Sequence, residues 1–222
     1  MQRLALFDLD HTLLPIDSDY EWGRFLGRIG AVDAEAFDAR NRHFFEQYKA
    51  GTLDVLEFLD FSLGLIANRP LAEIEAWRDR YMAEVIVPVI EPQARALVDG
   101  YLGRGDLCAL VTATNAFVTA PIARAFGFDH LIGSECEMAD GVYTGRPAGT
   151  PSFRDGKVIR TEQWLASLGH RWKDFDEGWF YSDSSNDLPL LEHATHPVAT
   201  NPDPGLRALA QRRGWPVIEL FA

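Results

Sequence analysis

The chain has 222 residues, of which 47% are hydrophobic and 24% are charged, so it can build a packed core and is not a disordered polymer. Its formal net charge of -12 argues against nucleic acid as a partner, because binding to a phosphate backbone requires patches of Lys and Arg. It has no apolar run of about 18 residues to span a membrane, and Asp8 interrupts the opening apolar residues too early for a signal-peptide core, so we expect a cytoplasmic protein.

The chain begins with a predicted strand and then departs from a simple α/β pattern. Residues 4–9 form a short apolar run ending in acid, which is typical of a buried parallel strand. Between residues 16 and 87 the pattern has only the period of helices. Four helices are predicted there, at residues 21–29, 34–49, 53–66 and 71–85. We interpret residues 16–87 as a helical cap, inserted into a core of residues 1–15 and 88–222.

Strands and helices alternate in the rest of the chain, after Pro88 and Pro92 mark the return to the core. Residues 136–144, centred on Asp140-Gly141, predict a β-hairpin flap. Strands are predicted at residues 107–111, 178–182, 196–200 and, more weakly, 216–220, and helices at residues 92–101, 117–126 and 158–168. This alternation predicts an α/β fold, a Rossmann-like doubly wound parallel sheet with the inserted four-helix cap.

Carboxylates and a hydroxyl follow three of the predicted strands. They are Asp8 and Asp10 after the first strand, Thr112 after the second, and Asp183 and Asp187 after the strand at 178–182. In an open parallel sheet, ligands bind beyond the carboxyl ends of the strands. Two unit charges about 4 Å apart repel by about 4 kcal/mol at an effective dielectric of 20. We therefore expect Mg2+ among these acids, where it would also allow an acidic protein to bind a phosphate ester.

These residue types suit the hydrolysis of a phosphate ester. Asp8 can act as a nucleophile through an aspartyl-phosphate intermediate. The negative charges of the neighbouring carboxylates are expected to raise the pKa of Asp10. A raised pKa suits Asp10 to protonate the leaving oxygen and then activate water. Thr112 can bind phosphate with nearby backbone N–H groups. Lys157, one of three lysines in the chain, offers a compact ammonium for the phosphoryl group and the nucleophile.

Each feature taken alone has an ordinary structural explanation. Asp8-Leu9-Asp10 could be a solvated strand end, Thr112 a helix cap, and Lys157 a surface lysine. The occurrence of all of them in this order, at comparable strand ends, favours the catalytic interpretation.

The set resembles the four motifs of the haloacid dehalogenase-like phosphohydrolase superfamily, and the resemblance covers nearly the whole chain. The motifs are Asp8-Leu9-Asp10-His11-Thr12, Thr112, Lys157, and Asp183 through Asp187. The insert is similar to that of the phosphoserine-phosphatase-like branch. The resemblance implies that Asp8 is phosphorylated and that Asp10 is the general acid/base, with Thr112 and Lys157 holding the phosphoryl group. It also implies that Mg2+ is held by Asp8, the main-chain carbonyl of Asp10, Asp183 and Asp187.

The cap is expected to determine the substrate. Phosphoserine phosphatases of this branch place an acid about nine residues beyond the nucleophile to bind the substrate ammonium, and Asp17 occupies that position here. They also use a cap arginine to bind the serine carboxylate, whereas residues 43–68 contain no arginine and a gapless comparison places Asp60 at that position. Such an acidic pocket favours an amine-bearing phosphate without a carboxylate. Residues 5–10 and 17–23 are similar to the corresponding segments of some proteobacterial members of this branch that resemble histidinol-phosphate phosphatases, so histidinol phosphate is the expected substrate.

The predicted substrate-binding set is Asp17, Asp60, Ala113, Asn115 and Asn186, although Asp17 could instead cap the first cap helix and Asp60 could be solvated. The expected partner is a small phosphorylated metabolite, and the sequence leaves the oligomeric state open.

One alternative is a phosphatase for phosphoserine or a lipid-derived phosphate. A dehalogenase needs no metal and does not account for Asp10 and the later acids. A phospho-acceptor signalling module also gathers aspartates, Mg2+, a threonine and a lysine, but it is about half this size and lacks the helical insert.

Overall fold

A seven-stranded sheet forms the centre of the protein, in the order β4-β3-β2-β1-β5-β6-β7. The computed structural model describes residues 2–221 apart from the side chain of Lys49, so Met1 and Ala222 of the predicted core lie outside the described residues. The strands are β1 (Arg3–Phe7), β2 (Leu107–Asn115), β3 (Leu131–Ala139), β4 (Val142–Ala148), β5 (Glu177–Ser182), β6 (His196–Thr200) and β7 (Val217–Ile218). Neighbouring strands are parallel except for β3 and β4. The predicted Rossmann-like α/β fold is confirmed.

The helices fall into an inserted group and a group that alternates with the strands. The inserted helices are α1 (Ser18–Arg28), α2 (Ala34–Ala50), α3 (Val55–Gly64) and α4 (Leu71–Tyr81), and α4 continues into a π-helical turn at Met82–Ile86 and a 3₁₀ turn at Val87–Val89. The others are α5 (Pro92–Leu102), α6 (Ala116–Phe126), α7 (Asp155–Ser167), α8 (Leu188–His193) and α9 (Pro204–Arg213). None of the described helices combines the length and the hydropathy needed to span a bilayer.

Aspartates begin three of the four inserted helices. Asp17, Asp33 and Asp54 each accept hydrogen bonds from the backbone N–H groups two and three residues later, which satisfies donors that a helix start leaves unpaired. Gly51 ends α2 in the left-handed conformation at φ 71°, which glycine adopts without strain. These local signals explain why the insert forms four separate helices.

Alternate side chains of β1 enter two apolar layers on opposite faces of the sheet. Leu4 and Leu6 pack in one layer, and Ala5 and Phe7 pack in the other; all four are fully buried. The second layer also contains Trp22, Phe25 and Tyr81 from the inserted helices. The insert is therefore packed against the sheet, while its boundaries at residues 16 and 87 stay a prediction.

Two parts of the core differ from the sequence-based expectation. The predicted flap is the outer part of a longer structure, because β3 begins at Leu131, pairs in parallel with β2, and only then turns back as β4. The apolar start of β3 is too short to stand out, and Gly133 interrupts it. Helix α9 was not predicted because only Leu206 and Ala210 are buried in it, which leaves almost no amphipathic period.

Candidate active site

The carboxyl ends of β1, β2 and β5 bring the predicted polar residues to one edge of the sheet. β1 is the central strand, and Phe7 pairs with Leu110 on one side and Tyr181 on the other. Asp8 follows directly, and its N–H donates to the Tyr181 carbonyl at 2.9 Å. The register therefore aligns Asp8 with the beginnings of the other motifs.

Asp8 is held through both of its carboxylate oxygens. Lys157 Nζ donates to Oδ1 at 2.7 Å, and Thr12 Oγ1 donates to Oδ2 at 2.9 Å. Lys157 lies in the first turn of α7, is buried, and also donates to Asp187 Oδ2 at 2.7 Å. Burial alone would lower the pKa of Lys157, but the charges of Asp187 and Asp8 raise it above its ordinary value. A protonated ammonium thus lies between two carboxylates.

Thr12 joins Asp8 to Asp183. Its hydroxyl accepts a hydrogen bond from Asp183 N at 3.0 Å and lies 3.3 Å from Asp183 Oδ1 as well as close to Asp8. Burial raises the pKa of Asp183 well above its ordinary value, and the charges of Asp8 and Asp187 add to this rise. Sequence reasoning placed Thr12 in the first motif but gave it no role.

Asp187 is fixed by the turn that follows β5. Its Oδ2 accepts hydrogen bonds from Lys157 Nζ and from Ser182 Oγ, each at 2.7 Å. Ser184 caps this turn, since Ser184 Oγ accepts from Asn186 N at 3.2 Å. Ser185 Oγ instead donates to Asp203 at 2.8 Å.

Asp10 is held from both sides of the site. Ser18 N donates to Oδ1 at 2.7 Å, and Thr114 Oγ1 donates to Oδ2 at 2.9 Å. Burial raises the pKa of Asp10 well above its ordinary value, and the charges of Asp17 and, to a smaller extent, Asp8 raise it further. The rise has the direction that a proton-donating acid requires.

Thr112 lies inside β2, three residues before its end, and not after the strand as predicted, because β2 is longer than its apolar run; the predicted substrate-binding residues Ala113 and Asn115 complete the strand. Thr112 is buried, and its Oγ1 accepts from Thr114 N at 3.1 Å. The Ala113 carbonyl accepts from Ser134 Oγ at 2.7 Å. Asn115, and not Thr112, caps α6 by accepting from Val118 N at 3.0 Å. Thr112 therefore does not cap α6, so helix capping does not explain its position.

The remaining predicted substrate-binding residues have other contacts. Asp17 Oδ1 caps α1 by accepting from the backbone N–H groups of residues 19 and 20 at 3.0 and 2.9 Å. Asp60 is exposed on α3, and among the described residues it makes no contact with the carboxylates of the site. Asn186 Oδ1 accepts from Arg154 Nε at 3.1 Å and Nη2 at 2.9 Å.

A known protein family matches most of this chain. The family model described as haloacid dehalogenase-like hydrolase matches residues 5–192, which include every motif described above. The chain belongs to the haloacid dehalogenase-like hydrolases.

Several relatives of this haloacid dehalogenase-like hydrolase match it along its full length. A protein named histidinol-phosphatase from Neisseria meningitidis serogroup C (strain 8013) is 42% identical over 219 residues, covering 98% of this chain and 99% of that protein. A crystal structure of a Bordetella pertussis Tohama I protein with unknown function superposes with a TM-score of 0.95 at 57% identity, covering all of both chains. A substrate-bound phosphoserine phosphatase has a TM-score of 0.70 at 18% identity over 100% of this chain and 94% of its own, which shows the fold alone. This haloacid dehalogenase-like hydrolase is a phosphatase.

Two residues that sequence reasoning missed bring the insert of the phosphatase onto its core. Tyr48 OH on α2 lies 2.7 Å from Ser184 Oγ, and burial, with the charges of Asp183 and Asp187, raises the pKa of this phenol. Arg154 Nη2 donates to the Gly51 carbonyl at 2.7 Å while the same guanidinium holds Asn186. No local pattern marks either residue, because their roles depend on how the insert docks.

The donor set of the phosphatase fits a hard divalent cation. Asp8 and Asp183 offer carboxylate oxygens that share the Thr12 hydroxyl, and the Asp187 carboxylate is joined to Asp8 through Lys157. In the described chain, no three His, Cys, Asp or Glu side chains come together as metal ligands. One or two carboxylates with water and substrate phosphate are what Mg2+ prefers.

Proposed function

We propose that this phosphatase hydrolyses a small amine-bearing phosphomonoester such as histidinol phosphate, with Mg2+ and through a phosphorylated Asp8. The observation that carries the proposal is the contact of Lys157 Nζ with Asp8 Oδ1 and Asp187 Oδ2, both at 2.7 Å. A buried ammonium next to a carboxylate at a strand end fits a nucleophile that must approach an anionic phosphoryl group.

In the proposed reaction, an Asp8 oxygen forms a bond to phosphorus while the bond from phosphorus to the leaving oxygen breaks. The electron pair of that bond stays on the leaving oxygen, which takes a proton from Asp10. The ionised Asp10 then takes a proton from a water that attacks the aspartyl phosphate, which releases inorganic phosphate and restores Asp8. Thr112 and Lys157 hold the phosphoryl oxygens through both steps.

The metal belongs to the same proposal. Asp8 and Asp183 would hold Mg2+, together with the main-chain carbonyl of Asp10 and the carboxylate of Asp187 that the sequence predicts. When bound, Mg2+ would neutralise charge on the phosphoryl group. The raised pKa of Asp183, caused by burial and by Asp8 and Asp187, supports a position where a positive charge is favourable.

Two independent observations support the substrate class. The Neisseria relative named histidinol-phosphatase matches at 42% identity over nearly the whole of both chains. The inward face of α3 carries Ser62, and no arginine lies in residues 43–68 to bind a substrate carboxylate.

The test is a comparison of kcat/KM for histidinol phosphate, phosphoserine and glycerol phosphates in the presence of Mg2+. We expect histidinol phosphate to be preferred; a preference for phosphoserine would overturn the substrate class. Asp8→Asn should fold normally and lose turnover, and substantial remaining activity would refute the nucleophile. A long-lived acyl phosphate on Asp8 without turnover would instead indicate a signalling module.

A further inference from the structure

Arg154 lies where the helical insert meets the core, and its guanidinium makes hydrogen bonds in two directions. Nη2 donates to the main-chain carbonyl of Gly51, the residue that ends α2, at 2.7 Å. Nε and Nη2 both donate to Asn186 Oδ1, at 3.1 and 2.9 Å. The side chain therefore links the end of α2 to the turn that carries Asp187.

The backbone of Arg154 has a conformation that arginine seldom adopts. Its φ is 51° and its ψ is -123°. These angles are those of the first central residue of a type II′ turn, where glycine is favoured because it has no Cβ. The turn is closed by Gly156 N, which donates to the Phe153 carbonyl at 2.9 Å. A residue other than glycine keeps such a conformation only when its surroundings impose it, and the guanidinium contacts do so here.

Lys157 follows this turn directly, so the backbone of Arg154 determines where the lysine begins. Lys157 N donates to the Arg154 carbonyl at 3.0 Å, while its ammonium lies 2.7 Å from Asp8 Oδ1. The turn is also tightly packed, because a Cβ on Gly156 would overlap with the Pro151 carbonyl. A rotation of the Arg154 backbone would therefore move the start of α7 and the lysine with it.

The last turn of α2 makes a second link to the same loops. Tyr48 OH lies 2.7 Å from Ser184 Oγ, which in turn accepts from Asn186 N at 3.2 Å. The ring centroid of Tyr48 lies 6.3 Å from that of Phe153, next to Arg154. Movement of α2 away from the core would therefore break both links together.

We propose that Arg154 is a positioning residue, which makes the placement of Lys157 depend on the docking of α2. With α2 docked, Gly51 and Asn186 hold the guanidinium, the guanidinium holds the type II′ turn, and the turn places the ammonium between its two carboxylates. When α2 moves away, the guanidinium loses its partner on the insert, the strained turn relaxes, and Lys157 leaves its position. Phosphoryl transfer then requires a docked insert. This inference rests on the proposed role of Lys157 in holding the phosphoryl group.

The first test uses Arg154→Met, which keeps an aliphatic stem and removes the hydrogen bonds to Gly51 and Asn186. Because a displacement of about 1 Å in a reacting group can cost up to about 100-fold in rate, we expect kcat to fall by about 10-fold. The factor should be the same for histidinol phosphate and p-nitrophenyl phosphate, since Lys157 acts on the phosphoryl group and not on the alcohol. Arg146→Met removes an exposed arginine that pairs with Glu137 and should leave kcat unchanged. A wild-type kcat in Arg154→Met would overturn the proposal.

Arg154→Gly separates the turn from the side chain. Glycine adopts a positive φ without strain, so the turn stays accessible although nothing imposes it. Its kcat should lie between the values of Arg154→Met and the wild type. A kcat equal to that of Arg154→Met would show that the turn does not transmit the effect, and a wild-type kcat would show that the guanidinium is not needed; either result overturns the proposal. If Arg154→Met does not fold, Arg154→Gly replaces it in the following test.

A double-mutant cycle tests the dependence on α2. Tyr48→Phe weakens the docking of the same helix, so Tyr48→Phe and Arg154→Met should act through one docked state. The double variant should therefore lose less kcat than the product of the two single losses. Losses that multiply would show that the two contacts act independently, which contradicts the coupling.

The role of Arg154 can fail separately from the proposed function. If the wild-type protein hydrolyses no phosphomonoester with Mg2+, or if Lys157→Arg keeps wild-type turnover, the proposed function of Lys157 fails and the inference fails with it. If Lys157→Arg loses turnover while Arg154→Met keeps the wild-type kcat, only the assignment of Arg154 fails.

Discussion

Lys157 supplies the positive charge that two buried carboxylates share. It is 2% exposed, and its ammonium contacts Asp8 and Asp187. Removing one partner of a buried ion pair typically costs about 3–5 kcal/mol, because the other charge is left unpaired. Lys157→Met should therefore lower the free energy of unfolding by about this amount, measured by urea denaturation, and should abolish turnover.

Two variants control for general effects of lysine replacement. Lys173→Met removes an exposed lysine and should leave stability and rate unchanged. Lys157→Arg keeps the charge but replaces a compact ammonium with a wide fork, so it should restore part of the stability and little of the rate. A Lys157→Met protein as stable as the wild type would contradict the assigned ion pairs.

Because of Asp19, the free energy of unfolding should decrease as the pH rises. Its pKa is raised by burial and by Asp17 from 3.8 to about 7, so the folded protein binds this proton more tightly than the unfolded chain. The free energy of unfolding therefore falls between pH 4 and pH 7, by at most roughly 4 kcal/mol. Asp19→Asn should raise Tm at pH 8 and have a smaller effect near pH 5, measured by calorimetry; a Tm that falls equally at both pH values would refute this.

Among the elements, α2 makes the contact with the reaction centre that the sequence did not reveal. Tyr48 OH lies 2.7 Å from Ser184 Oγ, next to Asp183. A neutral hydrogen bond contributes about 1 kcal/mol, so Tyr48→Phe should reduce kcat/KM by about 5-fold through looser docking of the insert. Steady-state kinetics test this, and Tyr20→Phe on α1 is the control, since Tyr20 OH bonds no described core residue. An unchanged rate in Tyr48→Phe would exclude the role.

Helix geometry also explains which part of the site could be predicted. Asp8 and the later acids could be predicted to lie together because they follow strands whose ends meet at one edge, and this requires only the order of the elements. Lys157, which lies in α7, stood out instead because the chain has only three lysines. In α3 the gapless comparison selected Asp60, which is exposed, whereas Ser62 is buried and donates to Asp19. A shift of two residues turns a helical side chain by about 200°, to the opposite face. Without the packing of α3, the sequence alone could not set this rotation.

At the scale of the whole molecule, binding of a divalent cation at the acidic edge of the sheet should increase the stability of the folded protein. Burial and the charges of Asp8 and Asp187 raise the pKa of Asp183, so a bound divalent cation should stabilise the folded state. At a concentration of 100 times its Kd, a ligand adds about 2.7 kcal/mol. We expect Mg2+ to raise Tm at pH 8 and excess chelator to abolish activity reversibly. Activity that survives the chelator, with no change in Tm, would favour a dehalogenase.

Most strands of the sheet could also be predicted from the sequence, because their apolar runs are distinct. The apolar runs of β1, β2, β5 and β6 are buried on both faces and stand out in the sequence, whereas β3 begins with four residues that a glycine interrupts. The docking of the insert depends on long-range contacts such as Arg154 with Gly51, 103 residues apart, which no local pattern encodes.

The contact of Asp19 with Ser62 and Asn115 has a consequence for evolution. One buried carboxylate ties two helices of the insert to the sheet. A substitution at any one of the three positions leaves its buried partners without a hydrogen bond, which is costly. Changes at these positions should therefore occur together, although the three residues are distant in sequence.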